Sequence, residues 1–176
     1  MVELSELQRV LRSEEIRSIS RRYFISNGFD GTLTSIGVAV GALLSGVPDG
    51  LTVFKIGMGG AVGLGTSGVW SVWEIGRAEK RAEIADLEAA MMRDLQDTTV
   101  VRRKRLARGI NAIASGIGPL IGIILPMLPY LFEGVVFTME SATYMGSIAN
   151  IDWRIAGVRM GLAGLVVAAI NMVLPG

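Results

Sequence analysis

The chain opens with apolar residues at roughly helical spacing, Leu4, Leu7, Leu11 and Ile16 or Ile19, with charges between them. This predicts an amphipathic helix over residues 1–22, lying at or near a membrane surface. From residue 23 the pattern changes to long apolar runs. Residues 23–47 carry a single charge, Asp30, and end in SGVPDG at 45–50, which reads as a tight loop. Residues 51–76 form a second run, with Lys55 near one end and Glu74 near the other. Transmembrane helices 1 and 2 are therefore expected within 23–76. Residues 77–108 begin RAEKRAEIADLEAAMMRDLQDTT and change character. They predict the second helix continuing into water, turning near DLQDTT and forming a cytoplasmic helical segment. Residues 109–176 supply the remaining helices. The stretch 109–132 is uncharged and exceeds the roughly 20 residues of a span, although Pro119, Pro126 and Pro129 are expected to kink or break it near its end. Residues 133–150 carry Glu133 and Glu140, and 155–174 form a final apolar run.

Charge decides the number of crossings. Of 17 Lys and Arg, five fall at 9–22, nine at 77–108 and two at 154–159. If 133–150 crosses the membrane, all three groups share one side, as the positive-inside rule favours. The expected fold class is an all-α integral membrane protein with five transmembrane helices per protomer. It adds an amphipathic N-terminal helix and a short cytoplasmic helical segment between helices 2 and 3. The N-terminus is cytoplasmic and the C-terminus outside. The mean hydropathy of +0.50 and the 23 glycines agree with this class. The first residues do not read as a signal peptide. A net charge of +1 gives no reason to expect nucleic acid. The absence of Cys and His removes thiolate and imidazole chemistry. An intramembrane hydrolase would need paired aspartates or a Ser–Lys pair, so no enzyme is expected.

The glycines of GLGTSG (63–68) fit a dinucleotide fingerprint, but they lie inside an apolar helix rather than after a strand. Close helix packing is the better reading, with Gly37 and Gly41, Gly59 and Gly63, Gly118 and Gly122, and Gly157 and Gly161 as small-xxx-small pairs. Such faces fit a compact bundle and a homodimer. Polar residues inside the apolar runs form stripes. Asn27, Asp30 and Thr34 share one helical face, and Ser67, Ser71 and Glu74 share another. If both helices meet the interface near residues 23 and 77, Asp30 is level with about residue 70 and Glu74 with about residue 26. A carboxylate at the bilayer centre costs roughly 2.5–3.5 kcal/mol. A divalent-cation pathway would offset it, because carboxylate, hydroxyl and amide oxygens suit hard cations. The same carboxylates can carry protons when the metal leaves. The competing reading makes Asp30 neutral or a helix cap, and Glu74 an interfacial charge. In the cytoplasmic segment, Glu79, Glu83, Glu88, Met91 and Met92 form a candidate collector of Fe²⁺ or Mn²⁺. An ordinary ion-paired, solvated helix is the alternative there.

These stretches resemble the vacuolar iron transporter family. YFISNGFDGTLTSIGVAVGAL (23–43) is similar to that family's first span, its N-D-G element standing here as Asn27, Asp30 and Gly31. GLGTSGVWSVWEIGRAEKRAEIADLE (63–88) resembles the second span running into an acidic cytoplasmic helix. IGPLIGIILPMLPYLF (117–132) resembles the Pro-rich third span, and YMGSIANIDWRIAGVRMGLAGLVVAAI (144–170) the closing loop and fifth span. The resemblance implies a five-helix protomer, a homodimer in a lipid bilayer, and export of Fe²⁺ or Mn²⁺ from the cytosol in exchange for protons. In a prokaryote that is the cell membrane. It assigns Asp30 as a metal ligand. It also places a methionine in the second helix, where the nearest alignment puts Gly68. A non-transporting membrane metal-binding or scaffold dimer is the alternative.

Overall fold

The computed structural model describes residues 4–47, 49–92, 98–128, 131 and 153–173. All regular structure among them is helical: α1 (Leu4–Arg12), α2 (Glu14–Leu44), α3 (Gly50–Met91), α4 (Thr99–Met127) and α5 (Trp153–Val173). The expected fourth span, with Glu133 and Glu140, lies outside the described residues.

The N-terminal helix does not run to Arg22. It breaks at Ser13, which is extended (φ −66°, ψ 123°), and α2 then continues through Arg21 and Arg22 into the apolar run. Glu14 and Glu15 occupy the first turn of α2, where negative charge suits the helix dipole. In α1 the buried residue is Val10, while Leu11 of the expected apolar face is exposed. The turn after α2 is tight. Gly46 takes the left-handed conformation (φ 68°), and the Asp49 carboxylate accepts from the Thr52 amide at 2.8 Å, capping α3. As expected, α3 leaves the apolar region and runs on as a helix, to Met91.

Helix α4 holds the bundle together, with α2 on one side and α3 on the other; α2 also touches α3 and α5. Helices α2 and α4 run parallel and nearly touch through their backbones. A Cβ on Gly122 would lie 2.1 Å from the Gly28 carbonyl oxygen, and one on Gly118 2.5 Å from that of Phe24. Helix α3 is antiparallel to both. A Cβ on Gly65 would lie 3.0 Å from the Gly116 oxygen, and one on Gly57 2.2 Å from the Met127 sulfur. Helix α5 runs parallel to α2, with Gly164 beside Ile36 and Asn171 beside Gly37 and Gly41. The expected packing pair Gly118 and Gly122 thus lies in a helix–helix seam. Gly59, Gly63, Gly157 and Gly161 instead have no neighbour within reach of a Cβ among the described residues. The spacing of glycines fixes which residues share a face, but not how that face is rotated toward a neighbour.

Pro119 and Pro126 lie inside α4, and neither ends it; Pro129 is outside the described residues. The interior is mostly small or medium residues, among them Ala42, Val53, Ala61, Ser115 and Thr32, with Ile123 and Met127 the largest side chains fully buried. Large apolar side chains such as Leu44, Ile56, Val62, Trp70, Ile113, Leu162 and Leu165 are exposed. Among the described residues, α4 is long and apolar enough to cross a membrane, and Gly157–Val173 is a shorter apolar helix. The apolar runs of α2 and α3 are diluted by Gly, Ser and Thr.

Gly122→Ala should destabilise the bundle by about 1–3 kcal/mol through overpacking, whereas Gly59→Ala should be near neutral. Thermal unfolding of both variants in a neutral detergent checks this, and equal shifts would contradict the described seam.

Candidate functional site

The polar residues of α2 divide between two roles. Asn27 turns toward α4. Its side-chain amide donates to the Ser115 carbonyl oxygen at 3.1 Å and also to the Ser115 hydroxyl. Ser115 stands four residues before Pro119, so its carbonyl has no helical amide to accept from. Asn27 supplies the missing donor, which is why α4 passes through Pro119 intact. The Ser115 hydroxyl in turn donates to the Gly68 carbonyl oxygen at 3.0 Å. A Cβ on Gly68 would lie 2.9 Å from the Ser115 oxygen and 3.3 Å from the Asn27 amide nitrogen. Gly68 is therefore a packing glycine at a three-helix junction, and a methionine there would displace the junction. Ser115 was not among the residues singled out by sequence. A proline four residues after a serine in an apolar helix, together with a lone asparagine elsewhere, was the available signal.

Asp30 points elsewhere. It is exposed, and among the described residues its carboxylate makes no hydrogen bond or ion pair; its backbone oxygen accepts from Thr34. Thr34 faces Gly60 and Asn27 faces Gly68, so Asp30 sits on the α2 edge beside α3, away from α4. These pairs place Asp30 level with Leu64 and Gly65, not with residue 70. The register follows from the tight turn centred near Val47, not from where the two helices meet an interface. Ser67, Ser71 and Glu74 are exposed. Helical geometry puts Ser67 and Ser71 on the α2 side of α3. Ser67 is nearest to Asp30 in depth, and Ser71 and Glu74 lie successively nearer the basic end. The Glu74 charge also acts on Arg108 of α4.

Glu79, Glu83, Glu88, Met91 and Met92 do not converge. Among the described residues there is no group of three or more carboxylates able to hold a metal ion. Glu83 is bound to Lys80 at 3.0 Å and to Lys104 of α4. Glu79 lines a cleft with Arg9, Arg22 and Arg103. Glu88 lines a second cleft dominated by arginines. Met91 and Met92 are exposed in the last turn, Met92 in the left-handed conformation (φ 48°). The hairpin of α3 and α4 is laced by ion pairs, and its concavities are positive, which disfavours collecting a cation.

No protein-family model matches the chain, and no solved structure matches it. The chain is similar to the uncharacterized protein MJ0645 of Methanocaldococcus jannaschii, 24% identical over 162 residues and covering 84% of each. That likeness assigns no activity.

Asn27→Ala should cost about 1–3 kcal/mol by orphaning the Ser115 carbonyl. The loss should be smaller in a Pro119→Ala background, where residue 119 regains an amide; unfolding of the four variants measures this coupling. The Glu83 carboxyl is held below its ordinary value of 4.5, first by the hydrogen bond from Lys104 and then by that from Lys80. A depressed folded value means the stabilisation is present above that ordinary value and is lost as pH falls through the lower one. For so exposed a pair it amounts to about 0.2–1 kcal/mol. Acidifying to about pH 3 should lower the hydrogen-exchange protection factors, corrected for the intrinsic pH dependence of exchange, in α3 beyond Gly76 and in the first turns of α4, and Glu83→Gln should blunt that response.

Proposed function

We propose that this protein is a five-span membrane transporter that moves a divalent cation, Fe²⁺ or Mn²⁺, out of the cytosol in exchange for protons. The observation that carries the reading is Asp30. It is an unpaired carboxylate among the described residues, midway along an otherwise apolar exterior, at the open edge between α2 and α3. Glu74, Ser71 and Ser67 form a polar ladder from the basic end toward its depth, and oxygen ligands of these kinds suit a hard cation. Asn27 is engaged by Ser115, so it contributes to position rather than to coordination.

The membrane setting is supported by burial. Glycines, Ala, Ser and Thr occupy much of the helix seams, together with Val53, Ile123 and Met127, while many Leu, Ile, Val and Trp side chains face outward, as expected where lipid replaces water. The basic residues of α1, early α2, late α3 and early α4 gather at one end, fitting a cytoplasmic face. Helices α2, α4 and α5 all run in one direction, which fits an odd number of crossings. A single Asp30 with hydroxyls is a sparse site. A homodimer joined across the α2–α3 edge, where Gly59 and Gly63 leave open space, would bring a second Asp30 to it. The absence of a second carboxylate near Asp30 within the described protomer is what favours the alternative, a non-transporting metal-binding dimer.

Proteoliposomes holding the full chain should take up Mn²⁺ or Fe²⁺ and lose uptake to the protein-free level in Asp30→Ala. Equal uptake by both proteins would remove Asp30 from the pathway. Mn²⁺ binding without any flux would favour the non-transporting dimer.

A further inference from the structure

A cleft of about 690 Å³ lies between the last turns of α3 and the first turns of α4. Arg77, Lys80, Arg81, Lys104, Arg105 and Arg108 line it, with Glu88 the one acid among the described lining residues and Ile84, Ala85 and Val101 adding apolar surface. Glu83, from outside the lining, bonds Lys80 and Lys104. Among the described residues Arg77, Arg81 and Arg105 have no ion pair. Arg108 is the fixed member. Its guanidinium lies 4.4 Å over the Trp73 ring, its aliphatic stem runs along Gly76, and its Nε is buried without a hydrogen-bond partner. Burial first, then the charges of Arg77 and Arg105, make Arg108 easier to deprotonate than usual, with Glu74 opposing.

A solvated basic face would spread its charges outward. Here the side chains converge on a concavity whose size falls within the roughly 300–1,000 Å³ of small-molecule sites. Convergent arginines repel one another unless an anion lies between them. Guanidinium forks match phosphate oxygens in bidentate geometry, and among the described lining residues Glu88 is the one carboxylate against six cations. We propose that this cleft binds a phosphoryl-bearing anion, with Arg77, Arg81, Arg105 and Arg108 as its charge-assisted donors. The phosphate belongs either to a lipid headgroup at the basic end of the bundle, where such pockets meet acidic lipids, or to a soluble phosphate or diphosphate. The site does not depend on the transport reading.

The full chain in a neutral detergent is titrated at fixed salt with sodium pyrophosphate in one arm. In the other it meets phosphatidylglycerol mixed micelles, with phosphatidylcholine as the uncharged reference. Thermal stability and tryptophan emission, to which Trp73 contributes, are the readouts. Saturable binding is expected in at least one arm, and the responding arm names the source. Arg77→Gln/Arg105→Gln, which spares the Arg108–Trp73 stack, should weaken it about tenfold or more. Arg17→Gln/Arg21→Gln removes the same charge from α2 and should change it little. No saturable response to either anion, or equal weakening by both double variants, overturns the proposal.

Discussion

Pro119 removes one amide from the middle of α4, and most of the architecture depends on how that loss is met. The Ser115 carbonyl would be left without a donor inside an apolar seam, where an unsatisfied group costs about 1–3 kcal/mol. Asn27 reaches across from α2 to fill the gap, and the Ser115 hydroxyl extends the relay to Gly68 on α3. One polar junction therefore sets the relative depth of three helices. It also explains the glycines around it, because backbones this close leave no room for a Cβ at Gly68, Gly118 or Gly122. Asp30, one turn along from Asn27, is excluded from the junction and left at the open edge.

The rest of the packing follows the same economy. Helices joined by glycine seams bury few large apolar side chains, Ile123 and Met127 among them, so many Leu, Ile and Trp side chains remain outside. In water such a surface would be an aggregation liability; against lipid tails it is matched. Close backbone contact and a few buried hydrogen bonds then carry helix association. Ser35 and Thr32 fit this scheme, each turning its hydroxyl back to its own helix, to Thr32 and Gly28 respectively.

What was legible in the sequence was local. The loop before α3, the run of α3 out of its apolar region, and the ion-paired character of the helix around Glu83 all follow from near neighbours in the chain. What was not legible depended on rotation and on distant partners. Asn27 and Ser115 are 88 residues apart, and no periodicity joins them, so Asn27 was grouped with Asp30 by spacing alone. Helix α4 passes Pro119 because the remedy lies on another helix, and it ends at Met127, just past Pro126, near where a prolyl break was expected. Val10 replaced Leu11 as the buried residue of α1 because the helix ends at Ser13 and docks on α2 and α4, not on a flat surface. Lys104 as a second partner of Glu83 required the register of the α3–α4 hairpin, which is a tertiary property.

The open edge at Asp30 and the basic cleft lie at different levels of the bundle. From the register of α2 and α3, Arg77 lies about 13 residues beyond the level of Asp30, roughly 20 Å along the helix. That is about two and a half Debye lengths at physiological ionic strength, so between solvent-exposed groups the two sites are largely screened from one another. On the transport reading proposed above, a cation entering from the basic end would first meet the field of Arg77, Arg81 and Arg105, which opposes it. The ladder of Glu74, Ser71 and Ser67 lies on the α2 side of α3, while Arg108 stacks on Trp73 at another face, so the cation's route and the cleft are separated around the helix axis. An anion seated in the cleft would remove the remaining repulsion at its source. On the membrane reading proposed above, a basic end held at one face would then be compatible with a cation site deeper in the bundle.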